Sequence, residues 1–367
     1  MKKWNIGWGP ISICNMNCEF CYSRFKREHV NDLNYEDWLM FINNNHDWIN
    51  SINFGTGENS LSNDWFKLID YIRKYYPEIR QAVTTNGYLS HAIKKRENMD
   101  SFIHGIDEVD VSLDFYDKEK HNKFRGQSKA FDWAIDTLKL CQKYSKVTTI
   151  VFLGSSKNLN KDNIDGLFSI AKKYDAILRM NLYRPTEGIN EFSEQFIASP
   201  DLVVDTLKYI SEKYSIIALN DTLFSSILTS ETVDDPSGMN SIRVLSDGGI
   251  TPSTYLIDNQ YIIGNIKEVG ILGKMSERYK DDSIIENIVP KECEGCIYGK
   301  RCSGGVIDRR FLWYGSLEQK DPYCSKCFKQ QPKSTIQIEK FKFSSVHDGY
   351  LPTIFFRNKE RSFHDEI

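Results

Sequence analysis

Cys14-Asn15-Met16-Asn17-Cys18-Glu19-Phe20-Cys21-Tyr22 is the stretch on which the reading of this chain turns. Three cysteines are spaced CxxxCxxC, and an aromatic residue follows at once. Closely spaced thiolates are how proteins hold iron–sulfur clusters. A four-iron cluster has four iron corners, and this run supplies three thiolates. The next cysteine, Cys141, stands far away in a helix-like stretch. One iron is then open to a small molecule. A zinc site, or a chance grouping of cysteines, is the alternative that the run alone leaves standing.

Working outward, residues 4–13 read as a buried strand that delivers the cysteine loop at its C-terminal end. Helical spacing follows over 35–44, then a strand over 52–54. Residues 64–75 form an amphipathic helix pattern, with Trp65, Phe66, Leu68, Ile69 and Ile72 on one side and Ser62 or Asn63 as cap. Strands are expected over 82–85, 109–113, 147–153 and 177–182, with helices over 130–144 and 164–173. This alternation predicts a parallel sheet with helical crossovers. In parallel barrels the active groups sit at the C-terminal ends of strands, and every polar motif considered below falls at such an end. Residues 199–230 read as a mostly helical bridge. After it, 241–245 and 250–256 flank Asp247-Gly248-Gly249, a hairpin signal.

The composition bounds the partners. The 367 residues carry a net charge of −3 with 26% charged residues, so no strong field points to nucleic acid or an anionic membrane. No apolar run approaches the roughly 20 residues of a membrane span. The first residues lack an apolar segment of the signal-peptide kind. Nine cysteines, an odd number gathered in CxxC-like groups, fit metal or cluster ligation better than a disulfide framework. A reducing cytoplasm is the compartment expected.

The cysteine loop resembles that of the radical S-adenosylmethionine (SAM) superfamily, and further motifs follow in that family's order. Gly55-Thr56-Gly57-Glu58 is similar to its glycine-glycine-glutamate motif for the SAM amino group, although Thr56 intervenes and Asn59 stands where proline is common. Thr84-Thr85-Asn86-Gly87 resembles its threonine-asparagine-glycine turn. Val111-Ser112-Leu113-Asp114 places Ser112 and Asp114 on one strand face, where the family has a serine and an aspartate near the SAM methionine and ribose. His121 and Arg125-Gly126 resemble the histidine and arginine-glycine that follow. Arg125 suits bidentate binding of the SAM carboxylate, whereas His121 reads as a solvated loop residue. Arg179 and Asn181 share the inward face of strand six, where polar groups need partners. Tyr22 is placed beside the adenine. The resemblance implies a [4Fe–4S] cluster on Cys14, Cys18 and Cys21. It also implies SAM bound at the open iron and cleaved to a 5′-deoxyadenosyl radical that abstracts a substrate hydrogen.

A second cysteine group lies near the other end: Cys293-Glu294-Gly295-Cys296, Cys302-Ser303-Gly304-Gly305 and Cys324-Ser325-Lys326-Cys327. A zinc ribbon would use Cys293, Cys296, Cys324 and Cys327. The run also resembles the auxiliary-cluster domain of radical SAM enzymes, named SPASM with two clusters and twitch with one. That resemblance implies one auxiliary [4Fe–4S] cluster on Cys293, Cys296, Cys302 and Cys324. Ser253 and Val306 occupy positions where the two-cluster form has cysteines. Cys327 is left as a spare ligand, a surface thiol or a hydrogen donor, and Cys141 as core packing.

The expected fold is α/β: a partial (β/α)6 barrel with bridging helices over 1–230, a twitch/SPASM-like domain over 231–335, and a tail over 336–367. The tail, with Phe341, Phe343, Tyr350, Phe355, Phe356 and Arg357, either helps bind substrate or packs over the barrel mouth. The expected activity is radical modification of a ribosomally made peptide by cross-linking, epimerisation or oxidation. The alternative is dehydrogenation or dehydration of a small metabolite, such as an aminoglycoside or cofactor precursor. A flavodoxin or ferredoxin would supply electrons, and a separate protein could present the peptide.

Overall fold

Six runs rich in β-branched and aromatic residues become parallel strands, each delivering a polar loop at the same end of the sheet. The computed structural model describes residues 2–28, 30–94, 96–229, 231–325, 336–341, 343 and 345–359. The six are β1 (Trp4–Trp8), β2 (Ile49–Phe54), β3 (Arg80–Thr85), β4 (Glu108–Ser112), β5 (Val147–Gly154) and β6 (Ile177–Leu182), paired in that order. Strand β1 is shorter than expected. It stops before Gly9-Pro10, where proline has no N–H for the ladder.

The crossovers form as their periodicity requires. The helix Asn63–Tyr75 buries Trp65, Phe66, Leu68, Ile69 and Ile72, and the Ser62 hydroxyl caps it by accepting from the Trp65 N–H at 3.2 Å. Burying side chains of this size contributes about 1.5–3 kcal/mol each. In helix Ala130–Lys143, Cys141 is fully buried among apolar neighbours, the packing role expected of it.

Three features depart from the expected plan. The bridge contains the helices Pro200–Lys213 and Thr222–Leu228, but a further strand, β7 (Ser215–Leu219), lies between them. The hairpin forms from β8 (Ser241–Val244) and β9 (Gly249–Thr251), with β10 (Gly264–Asn265) beside it. Strand β8 also pairs in parallel with β1, Ile6 opposite Ile242, so the barrel sheet runs across the boundary expected near 230. Finally, β11 (Ile354–Arg357) inserts antiparallel between β6 and β7. Among the described residues the sheet order is β10-β9-β8-β1-β2-β3-β4-β5-β6-β11-β7, an open, partial barrel.

The tail reaches β11 through the barrel interior. Ser345 and Val346 donate to Glu108, the first residue of β4, and His347 meets Asp110 two residues further along. Tyr350 bonds Thr254 at 2.9 Å, and Thr353 donates to the Met180 carbonyl and to Asn181 near the end of β6. The chain thus rises along the inside of the strands before turning down into β11. Phe341, Phe343 and Phe355 pack with Ile177 and Ile217. Cys327 lies outside the described residues.

Candidate active site

The loop after β1 brings its three cysteines to the wall of one cavity of about 190 Å³ at the C-terminal ends of the strands. Main-chain turns hold them there, with the Cys21 N–H donating to the Cys18 carbonyl at 3.2 Å. None of the three forms a disulfide. Burial pushes the Cys18 thiol up to about 11 despite the nearby Arg125 cation, and burial also raises Cys14. Such thiols lose their protons readily only to a bound metal. Three converging thiols with cavity beside them fit a cluster held at three corners.

The wall opposite is made of backbone. Thr56 and Gly57 both have left-handed backbone, with φ of 78° and 64°. A Cβ on Gly57 would lie 3.0 Å from the Ile11 carbonyl and closer still to that of Ile13, so only glycine lets the two loops approach. Gly55, Thr56 and Gly57 line the cavity, but Glu58 does not. Its fully buried carboxylate accepts from the Asn86 N–H at 2.8 Å, from the Thr85 hydroxyl at 3.0 Å and from the Ser60 hydroxyl at 2.5 Å. Burial raises its pKa, with those hydrogen bonds opposing. Glu58 therefore fixes the β3 turn. That turn presents the Asn86 amide, which donates to Asn15 at 2.8 Å and lies 3.7 Å from the Cys14 sulfur.

Ser112 lines the cavity and Asp114 does not. Asp114 accepts from Arg125 Nε at 2.6 Å and from the Leu153 N–H at 2.8 Å, tying β4 to β5. Arg125 also stacks on Phe20 with its carbon 5.1 Å from the ring centre. His121, expected in solvent, is fully buried instead. Its Nδ1 accepts the Asp114 N–H at 3.1 Å, and burial lowers its pKa to about 3. Tyr22 bonds the Thr56 hydroxyl at 3.1 Å and stands edge-on to Tyr255. Asn181 lines the cavity while accepting from Thr353 at 2.6 Å.

Below this rim lies a polar ladder of which local patterns marked only Arg179. The Thr84 hydroxyl is 3.2 Å from both Asn53 and Asp110, and Asp110 is 3.0 Å from Arg179 Nη1 and from His347 Nδ1. Burial pushes Asp110 up, but Arg179 and His347 outweigh it and hold its carboxyl well below the usual range. Arg184 pairs with Asp308 at 2.8 Å. Arg179 carried a local signal, a polar residue alternating with apolar ones, and Arg243 has a similar one in Ser241-Ile242-Arg243-Val244. His347 and Tyr350 had none, since a tail residue reaches the barrel only through tertiary packing.

The second group is less enclosed. Cys302 is buried, while Cys293, Cys296 and Cys324 are half-buried. The Cys296 N–H donates to the Cys293 carbonyl at 3.1 Å. Burial raises the Cys302 thiol, reinforced by Asp321, then Cys324, Asp221 and Cys293, so Cys324 and Cys293 lie within electrostatic reach of Cys302.

Comparisons with known proteins agree with this geometry. Residues 8–168 match the model of the Radical SAM superfamily. The chain is similar to a GTP 3′,8-cyclase of Clostridium botulinum, 25% identical over 280 residues, covering 70% of this chain and 85% of the relative. It is similar to an Fe-coproporphyrin III synthase of Methanosarcina barkeri, 24% identical and covering 88% of each. Its fold resembles anSMEcpe solved with bound AdoMet and Cp18Cys peptide, with a TM-score of 0.66 and 21% identity, covering 87% of this chain and 93% of that one. In this protein residues 8–168 are a radical SAM superfamily domain.

Proposed function

We propose that this protein reductively cleaves SAM and uses the resulting radical to abstract hydrogen from a peptide. The observation that carries the reading is the convergence of Cys14, Cys18 and Cys21 with the Gly55–Gly57 backbone, Asn86, Ser112 and Asn181 on one cavity. Cys14, Cys18 and Cys21 would hold the cluster, which when bound supplies the electron for SAM cleavage. The Gly55-Thr56-Gly57 backbone, Asn86, Ser112 and Asn181 would seat SAM. Glu58 and Asp114 act behind them, as the hydrogen bonds above support, and Arg125, which lines the cavity while held by Asp114, would pair with the SAM carboxylate. Tyr22 and Tyr255 wall the same cavity and limit water.

The peptide reading draws support from the likeness to a solved structure holding a peptide. A small-molecule substrate is the second reading, favoured by the names of the curated relatives, a GTP cyclase and a porphyrin synthase. We also propose an auxiliary [4Fe–4S] cluster on Cys293, Cys296, Cys302 and Cys324, supported by the main-chain turn that joins Cys293 to Cys296 and by the influence of Cys324 and Cys293 on the buried Cys302. A flavodoxin or ferredoxin is the electron donor in this scheme.

Anaerobic reconstitution with dithionite and SAM tests the reading. The expected result is 5′-deoxyadenosine well above a Cys14→Ala control, and product at the control level refutes SAM cleavage. Iron near about eight per chain is expected for two clusters. About four irons, or zinc in the protein, refutes the auxiliary cluster.

A further inference from the structure

Among the described residues five arginines are buried to 2% exposure or less: Arg179, Arg184, Arg243, Arg309 and Arg310. Three of them face a carboxylate and a fourth is ringed by oxygens. Arg179 pairs with Asp110, Arg184 with Asp308, and Arg309 with both Asp221 and Asp321. Arg310 has no carboxylate but is surrounded by oxygens, those of Gln319, Ser303, Ile288 and Leu317 main chain and of the Asn287 side chain.

Arg243 is different. Its Nη2 donates to the Gly55 carbonyl at 2.9 Å, its Nε has no partner, and no carboxylate of the described residues lies within ion-pair distance. Yet the side chain is 1% exposed and lines the cavity. A buried cation is costly unless paired and hydrogen-bonded. The surroundings are shaped to keep it there. Gly7 and Gly9 on the β1 side leave the room that the guanidinium fills. A Cβ on Gly9 would lie 2.8 Å from Arg243 Nη2, and one on Gly7 would lie 3.0 Å from Nη1 and overlap the Tyr350 hydroxyl. Tyr350, from the tail, also lines the cavity, and its hydroxyl is shared with Thr254 at 2.9 Å. Cation and phenol therefore stand side by side in a slot between β1, β8 and the tail.

We infer that Arg243 and Tyr350 form a seat for a carboxylate of the substrate. A guanidinium edge with an adjoining hydroxyl matches the oxygens of that group. The seat would select, within the reading above on which it rests, substrates presenting an acidic side chain or a terminal carboxylate to the cavity. SAM itself carries a carboxylate, so the test must separate the two sources.

The full-length, cluster-reconstituted protein is titrated anaerobically by calorimetry with propionate, and with propionamide as its neutral isostere. Propionate should bind the SAM-saturated protein, and propionamide should bind at least roughly tenfold more weakly. Arg243→Gln should weaken propionate roughly tenfold or more, with partial recovery in Arg243→Lys, because losing one partner of a buried charged contact is expensive. Tyr350→Phe should weaken it by a smaller factor. Equal binding of the two probes, absence of propionate binding to the protein with or without SAM, or wild-type propionate affinity in Arg243→Gln overturns the seat. Propionate binding that vanishes only when SAM is saturating gives the seat to the SAM carboxylate and overturns the substrate assignment. Should Arg243→Gln fail to fold, the two probes on the wild type and on Tyr350→Phe still decide. Production of 5′-deoxyadenosine is scored separately, so failure of the seat and failure of the radical reading remain distinct.

Discussion

The cysteine loop after β1 and the tail that rises inside the barrel face the same cavity but are held by opposite means. The loop is secured mostly through its main chain, as in the Glu58 N–H to the Ile13 carbonyl at 2.9 Å, with Asp32 and Arg27 bonding the Ser12 main chain. Its sulfurs line the cavity. The tail is secured by buried charge, with Glu108 accepting Ser345 and Val346 and Asp110 facing His347, and then by the ladder of β11. A segment tied to buried carboxyl groups and a strand ladder supports the fold. A segment with its donors toward an open volume is available to a ligand. Damage to the loop should therefore remove chemistry and leave stability, and damage to the contacts that anchor the tail on Glu108 and Asp110 should lower stability first.

The largest effect expected is that of Cys18→Ala. It should abolish 5′-deoxyadenosine formation with an unfolding midpoint close to that of the wild type before cluster loading. A chain that fails to fold would break the contrast from the loop side. Next is Asp110→Asn, which leaves Arg179 buried without its carboxylate and should cost about 3–5 kcal/mol in urea unfolding. Iron bound at the cysteine loop should persist. A full loss of that iron with unchanged stability would reverse the expected assignment. Thr353→Val removes a hydroxyl that satisfies both the Met180 carbonyl and Asn181, and should cost about 1–3 kcal/mol.

The smallest effect per step is in pH. Burial, then Arg179, lowers His347 from 6.5 to about 4, against the pull of Asp110. Between those values the unfolded chain takes up a proton that the folded chain refuses, so stability falls as pH drops. Glu108 acts in the other direction, since burial and Asp110 raise it from 4.5 to about 7. Between these values the folded chain holds the extra proton, and stability rises as pH drops. The two oppose each other where the windows overlap. Glu108→Gln should leave a fall in stability toward acid, and His347→Gln a rise, each at most about 1.4 kcal/mol per pH unit. Equal slopes in both variants would show that the tail is not held by this pair.

How much of this could be read in advance depends on the range of the interaction. The parallel strands and their polar ends were legible because each is a local pattern, and Gly55–Glu58 and Asn86 carry their turn chemistry in adjacent residues. The split between Ser112, on the cavity, and Asp114, behind it, was not, because alternation on a strand says nothing once the strand has ended at Ser112. His121 looked solvated because its partner is a main-chain N–H seven residues back, that of Asp114, which no side-chain pattern announces. Strand β7 was hidden between two helices in only five residues, Ser215–Leu219. Its neighbour in the sheet comes from the tail, about as far along the chain as a partner can be.

That last pairing orders events during synthesis. On a ribosome, β6 and β7 emerge well before Ile354–Arg357, and no other described strand separates them. Until those four residues arrive, both strands present open edges that could capture a neighbouring chain. The nascent protein thus passes through a vulnerable interval in which its cysteine loop already exists and its sheet is still incomplete. A cell making it would do well to delay cluster delivery, or to shield those edges with a chaperone, until the tail has threaded home.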